Sequence, residues 1–230
     1  MNSCCFTNRM DAGQQLAHRL STYAGRDDVI VLALPRGGVP VGHTVAQALH
    51  APLDILLVRK LGAPGYEEFA MGAIASGDVI VLQKGIAAML GVGDEALRRV
   101  VQRELAELKR RETLYRDSRP KPQLKGKTVI LVDDGLATGS TMRAAVKAVR
   151  KENPARVVVA VPVAAPDTCA GMESEVDEIV CAETPEPFRA VGQWYDDFTQ
   201  ITDDEVIRLL RQATQRHAPD RDGSGAGSPP

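Results

Sequence analysis

The clearest chemistry lies in residues 129–141, VILVDDGLATGST. Apolar residues end in two adjacent acids, Asp133 and Asp134. Gly135, Leu136, Ala137, Thr138, Gly139, Ser140 and Thr141 follow. The glycines let the backbone turn tightly and present N–H groups inward. Thr138, Ser140 and Thr141 add hydroxyl donors. A helix is expected to start near Ser140, and its N-terminus favours an anion. The loop therefore suits a phosphate dianion, and the acids suit sugar hydroxyls. An ordinary strand-to-helix turn accounts poorly for two acids at a buried strand end, since both must be solvated or bonded. GxxxxGK[ST] is absent, and so is GxGxxG after a strand. A sugar phosphate is the ligand that these residue types fit.

These residues need a scaffold, and the apolar pattern supplies one. Residues 29–34 (VIVLAL), 53–58 (LDILLV), Thr128–Val132 and 157–161 read as buried parallel strands, with a short fifth at 178–180. Leu16, Ala17, Leu20 and Tyr23 share one face of an N-terminal helix. Residues 40–50 can form a crossover helix. Residues 73–75 and 79–82 flank Ser76-Gly77-Asp78 as a hairpin. Asp94–Arg116 reads as a long helix striped by Leu97, Val101, Leu105 and Leu108, and Met142, Ala145, Val146 and Val149 line another. Thr202 and Glu205 form a capping box for a last helix. Strands alternating with helices give an α/β fold with an open, mostly parallel sheet.

The chain has 230 residues, 44% hydrophobic and 25% charged. One domain over residues 1–218 is expected, with residues 219–230 (PDRDGSGAGSPP) a disordered tail. This composition excludes wholesale disorder, a collagen-like chain and a disulfide scaffold. A net charge of −2 argues against nucleic-acid binding through global charge. No apolar run approaches the roughly 18 residues that span a bilayer, and residues 1–15 hold no signal-peptide core. A cytoplasmic protein is expected. Cys4, Cys5, Cys169 and Cys181 lack zinc-site spacing. They are expected as reduced thiols, with Cys169 and Cys181 in or near the core.

Residues 129–141 resemble the phosphoribosyl-diphosphate binding motif of the type I phosphoribosyltransferases, and the resemblance extends over about residues 10–212. It is nearest to a group of bacterial phosphoribosyltransferases of uncertain substrate. The resemblance implies that Asp133 and Asp134 hold the ribose hydroxyls, directly or through water on Mg²⁺, and that residues 135–141 hold the 5-phosphate. Residues 34–40 (LPRGGVP) look like the family's pyrophosphate loop, with Arg36 bringing charge and Gly37 and Gly38 admitting the anion to backbone N–H groups. Arg59 and Lys60, read as the end of the second strand, resemble pyrophosphate-holding residues of the adenine and orotate enzymes. Residues 61–69 (LGAPGYEEF) would begin a mobile loop whose closure excludes water. Residues 183–216 would then form a small hood and the C-terminal helix, beyond a core of about residues 10–182. Within the hood, residues 187–198 (PFRAVGQWYDDF) would cover the base, with Phe188 or Trp194 stacked on it. Ala137 stands where 6-oxopurine enzymes carry an acid, which counts against hypoxanthine and guanine.

By the resemblance, Arg36, Lys60, Asp133 and Asp134 would carry the reaction. They would transfer phosphoribosyl to a nitrogen acceptor, a nucleobase in class, with Mg²⁺ and release of pyrophosphate. A homodimer is also implied. The alternative on the same fold is a regulatory protein that senses phosphoribosyl diphosphate or a nucleotide. A third reading is a related hydrolase. Residues 94–127 carry eleven basic and six acidic side chains. A solvated face or subunit interface is the expected use of that stretch, with nucleic-acid binding disfavoured.

Overall fold

The protein is described from a computed structural model, which covers residues 5–77, 79–82, 85–116 and 119–216. The first half runs α1 (Arg9–Arg19), β1 (Val29–Ala33), α2 (Gly38–Leu49), β2 (Leu53–Ile55), β3 (Val58–Ala63), β4 (Tyr66–Ala75), β5 (Val79–Leu82), α3 (Ile86–Met89) and α4 (Asp94–Arg116). The second half runs β6 (Thr128–Val132), α5 (Ser140–Lys151), β7 (Arg156–Val163), α6 (Pro166–Met172), β8 (Glu178–Glu183) and α7 (Asp203–Arg216).

Five strands pair in parallel in the order β2-β1-β6-β7-β8. β1 and β6 are buried throughout, because successive side chains enter two different cores. Val29, Val31 and Ala33 join Ile130 and Val132 against α1, α2, α4 and α7. Ile30 and Leu32 join Val129 and Leu131 against α5 and Met172 of α6. The sheet is thus flanked by helices on both faces, as its near-continuous Val, Ile and Leu runs require.

The order of strands locates the site. From β1 the chain crosses through α2 to β2 on one side, and from β6 it crosses through α5 to β7 on the other. The crevice beyond the C-terminal ends of β1 and β6 is therefore a topological switch point, where open α/β sheets bind ligands.

Two expectations about residues 53–69 need correction. The expected strand at 53–58 divides after Ile55. The Ser76 hydroxyl accepts the Leu57 N–H at 3.1 Å, and the Ser76 N–H donates to the Leu57 carbonyl at 2.9 Å. That capture turns the chain out of the parallel sheet. Val58, Arg59 and Lys60 then open a separate antiparallel sheet, β3-β4-β5. Residues 61–69, expected as a loop, lie mostly in the β3–β4 hairpin, which turns at Pro64 and Gly65. The hairpin at 76–78 is present, although Asp78 lies outside the described residues.

Cys169 of α6 and Cys181 of β8 form a disulfide, which corrects the expectation of reduced thiols. The two belong to elements whose packing brings them together, and sequence spacing does not reveal that. Cys5 is free. Cys4 and the expected tail at 219–230 lie outside the described residues. Among the described residues no helix is long and apolar enough to cross a membrane.

Several basic side chains of residues 94–127 are paired in place. Glu107 accepts from Arg110 at 2.7 Å and from Arg111 at 2.8 Å. These two hydrogen bonds hold the Glu107 carboxyl down at about 2. Arg99 pairs with Glu95. Arg116 is buried and donates to the Ile55 carbonyl at 2.8 Å.

The disulfide closes a short loop, with partners 12 residues apart. Cys169→Ser with Cys181→Ser should lower unfolding stability by about 3 kcal/mol. Urea unfolding with and without dithiothreitol checks this: reductant should shift the wild-type midpoint and leave that of the variant unchanged.

Candidate active site

Asp133 and Asp134 leave the end of β6 at the switch point, and both are half-buried. The Asp134 N–H donates to Asp133 Oδ1 at 2.9 Å. Arg9 Nε donates to Asp134 Oδ2 at 2.9 Å. The Tyr195 hydroxyl donates to the Asp134 carbonyl at 2.6 Å. Burial pushes the Asp133 carboxyl well above the usual range, and the neighbouring Asp134 charge pushes it further. Burial also raises Asp134, although Arg9 opposes the shift. Burial raises the Tyr195 phenol as well, so it stays a neutral donor.

The loop after β1 lies directly against the acids. The Leu34 N–H donates to the Val132 carbonyl at 2.9 Å. The Pro35–Arg36 peptide is cis. A Cβ on Gly37 would fall 2.0 Å from Asp134 Oδ2, and one on Gly38 would fall 2.7 Å from the Val132 carbonyl oxygen. Only glycine lets the two loops approach this closely. α2 starts here, and its first N–H groups are spent within the turn: that of Gly38 on the Leu34 carbonyl and that of Val39 on the Arg36 carbonyl, both at 3.1 Å. Arg36 lies 3.8 Å from Asp203 in the first turn of α7. Asp203 also accepts the Tyr115 hydroxyl at 2.5 Å. Burial, followed by this contact, pushes the Tyr115 phenol up to about 12.

Residues 135–141 form the expected loop into a helix, and α5 begins at Ser140. Gly139 has φ +72°, a left-handed backbone that favours glycine. Neighbouring side chains hold the loop carbonyls. The Thr168 hydroxyl donates to Ala137 at 2.6 Å, and Arg143 donates to Thr138 at 2.9 Å. Glu175 fixes Arg143 at 2.6 Å. The first N–H groups of α5 lack intrahelical partners, and beside them the Thr138 and Ser140 hydroxyls lie 3.3 Å apart. Leu136 is corrected from ligand contact to scaffold. Its side chain is buried, and its N–H is spent on the Val163 carbonyl at 2.9 Å.

Lys60, Ser140 and Thr141 line one cleft of about 220 Å³. Arg59, expected beside Lys60 at the pyrophosphate, does not line this cleft. Neighbouring strand residues face opposite ways, and Arg59 turns towards α4 to bind Glu104 at 2.6 Å. Trp194 is also corrected. Only 4% exposed, it packs in an aromatic cluster with Phe6 and Tyr195 and offers no ring face to a base. Phe188 is half-buried at the edge of this cluster, its ring centroid 6.3 Å from that of Trp194.

Sequence reasoning missed Arg9 and Tyr195. Arg9 stands on the N-terminal helix, far along the chain from residues 129–141. The only local signal was an arginine in the first turn of a helix, where a cation is unfavourable to the dipole.

Paired acids, a glycine-rich basic loop and a hydroxyl-rich loop thus meet around one switch point of a parallel sheet. A family profile described as "Phosphoribosyl transferase domain" matches residues 7–191, and the chain belongs to this family. Two Mycobacterium tuberculosis proteins, from strains CDC 1551 and H37Rv, carry the provisional name phosphoribosyl transferase. Each is 44% identical over 225 residues, covering 98% of this chain and 51% of the relative. The chain thus spans about half the length of the curated relatives it matches. The crystal structure of TT1426 from Thermus thermophilus is 43% identical, with a TM-score of 0.78, covering 90% of this chain and 98% of that one.

The raised Asp133 carboxyl has a stability consequence. A carboxyl with a folded pKa above its unfolded value favours folding at low pH and loses that contribution as pH rises. Asp133→Asn should therefore stabilise the fold at pH 7. The gain should vanish towards pH 4. Thermal melts at both pH values test this.

Proposed function

We propose that this chain transfers the 5-phosphoribosyl group of phosphoribosyl diphosphate to a nitrogen of a small acceptor, a nucleobase in class, releasing pyrophosphate. The observation that carries the reading is the meeting of Asp133–Asp134, the Arg36–Gly38 loop and the 135–141 loop around one crevice. Acceptors for sugar hydroxyls stand between two sets of anion donors. A phosphoribosyl ligand with a diphosphate at the other end of its ribose presents those groups in that order.

In the proposed reaction the bond from C1 to the diphosphate oxygen breaks as the acceptor nitrogen bonds to C1. Positive charge develops on the ribose and negative charge on the leaving group, so positioning and electrostatics supply the catalysis. Asp133 and Asp134 fix the ribose beside the developing cation. Arg36 and Lys60 receive the departing pyrophosphate. Gly139, Ser140 and Thr141 hold the 5-phosphate. Phe188 is the remaining aromatic candidate for the base.

Mg²⁺ fits the donor set. Hard carboxylate oxygens are present, but no group of three or more His, Cys, Asp or Glu gathers for a metal among the described residues. Mg²⁺ is commonly bound by one or two carboxylates together with phosphate oxygens and water. It would sit at Asp133 and Asp134, through water, and would neutralise diphosphate charge.

Pyrophosphate release with Mg²⁺ across adenine, guanine, hypoxanthine, xanthine, uracil and orotate tests the proposal. Release that depends on one base is the expected outcome. Release without a base would indicate a hydrolase, and binding without release would indicate a sensor. Asp133→Asn with Asp134→Asn should abolish turnover while the fold persists, and full turnover would end the reading. Arg36→Ala should weaken pyrophosphate at least tenfold more than ribose 5-phosphate. Equal weakening in calorimetry would remove Arg36 from the leaving-group site.

A further inference from the structure

We propose that Arg9 is a positioning residue for the ribose site: it supplies the counter-charge that lets the acid pair bind a neutral vicinal diol without a divalent cation. This rests on the phosphoribosyl reading above.

Arg9 is only 8% exposed, and the structure uses its guanidinium on three sides. Nε donates to Asp134 Oδ2 at 2.9 Å, and Nη1 donates to the Thr199 carbonyl at 2.9 Å. Its Cζ lies 3.9 Å from the centroid of the Phe198 ring. A buried guanidinium is costly unless it is paired and hydrogen-bonded. Its planar fork also fixes direction in a way that a lysine ammonium does not.

The backbone that carries Arg9 is held from both sides. The Asn8 side chain caps α1 by accepting the N–H groups of Met10 and Asp11. Before it, the N–H groups of Cys5 and Phe6 donate to the Trp194 carbonyl. The N–H groups of Asp196 and Asp197 return to the carbonyls of Phe6 and Thr7. The N-terminal segment and the hood are thus laced together, and Arg9 projects from the lacing onto Asp134.

The arrangement sorts the four carboxylate oxygens. Asp133 Oδ1 accepts the Asp134 N–H, and Asp134 Oδ2 accepts Arg9. Asp133 Oδ2 and Asp134 Oδ1 remain, one on each acid. Two adjacent hydroxyls need two acceptors, and one oxygen of each acid is left to supply them. Without Arg9 the same oxygens would carry uncompensated charge, and a divalent cation would be needed to gather them.

Ribose 5-phosphate is the probe, titrated calorimetrically into the full chain in Mg²⁺ and in EDTA. Wild type should bind in both. Arg9→Gln should lose about tenfold or more in EDTA and regain most of it in Mg²⁺, with Arg9→Lys intermediate. Wild-type binding only in Mg²⁺ would overturn the proposal and leave the phosphoribosyl reading standing. Equal losses for Arg9→Gln in both buffers, or no loss, would also overturn it. No wild-type binding in either buffer would sink the phosphoribosyl reading and this inference together.

Discussion

Two carboxylates stand next to each other at the end of a strand that is buried on both faces, and much of the surrounding structure answers that fact. Repulsion and desolvation act against the pair together. A hydrogen bond from the Asp134 N–H holds Asp133, and Arg9 and Tyr195 hold Asp134. Gly37 lacks a side chain because the Asp134 carboxylate occupies the space one would need. Residues 5–7 pair with residues 194–197, and this pairing keeps Arg9 in place. Residues from both ends of the described chain thus converge on one acid.

The loop of residues 135–141 is held in a comparable way. A loop that presents N–H groups to an anion must turn its carbonyls elsewhere, and buried carbonyls need partners. Thr168 and Arg143 provide them, and Glu175 steadies Arg143. Thr168 adjoins Cys169, whose disulfide to Cys181 ties α6 to the sheet edge. The loop therefore rests on a second layer that is itself anchored. On the other side, β3 brings Lys60 to the cleft beside Ser140, while Arg59 turns to Glu104 on α4. One strand thus sends its two cations to opposite sides.

The excess of basic residues in 94–127 serves mainly the fold. Arg110 and Arg111 share Glu107, and Arg116 reaches through the packing to the Ile55 carbonyl. Surface pairs of this kind contribute little each, whereas the buried Arg116 joins α4 to the strand edge at β2. Counting charge along the sequence overstates what a partner would meet.

What the sequence determined alone is what local pattern encodes. Apolar runs gave the parallel strands, with Thr128–Val132 and Asp94–Arg116 matching the structure end to end. Residues 129–141 revealed a strand that ends in two acids and a glycine-rich turn into a helix, because these are consecutive there. Contacts between distant segments were decided by tertiary structure. Arg9 meets Asp134, Cys169 meets Cys181 and Arg59 meets Glu104 only after helices pack on the sheet. Trp194 reads as a stacking ring from its type, yet the burial of its neighbours takes it into the core. The split of residues 53–58 hinged on Ser76, which captures Leu57 from the next hairpin. Periodicity reports which face of an element is apolar; it carries no information on which distant side chain will lie across from it.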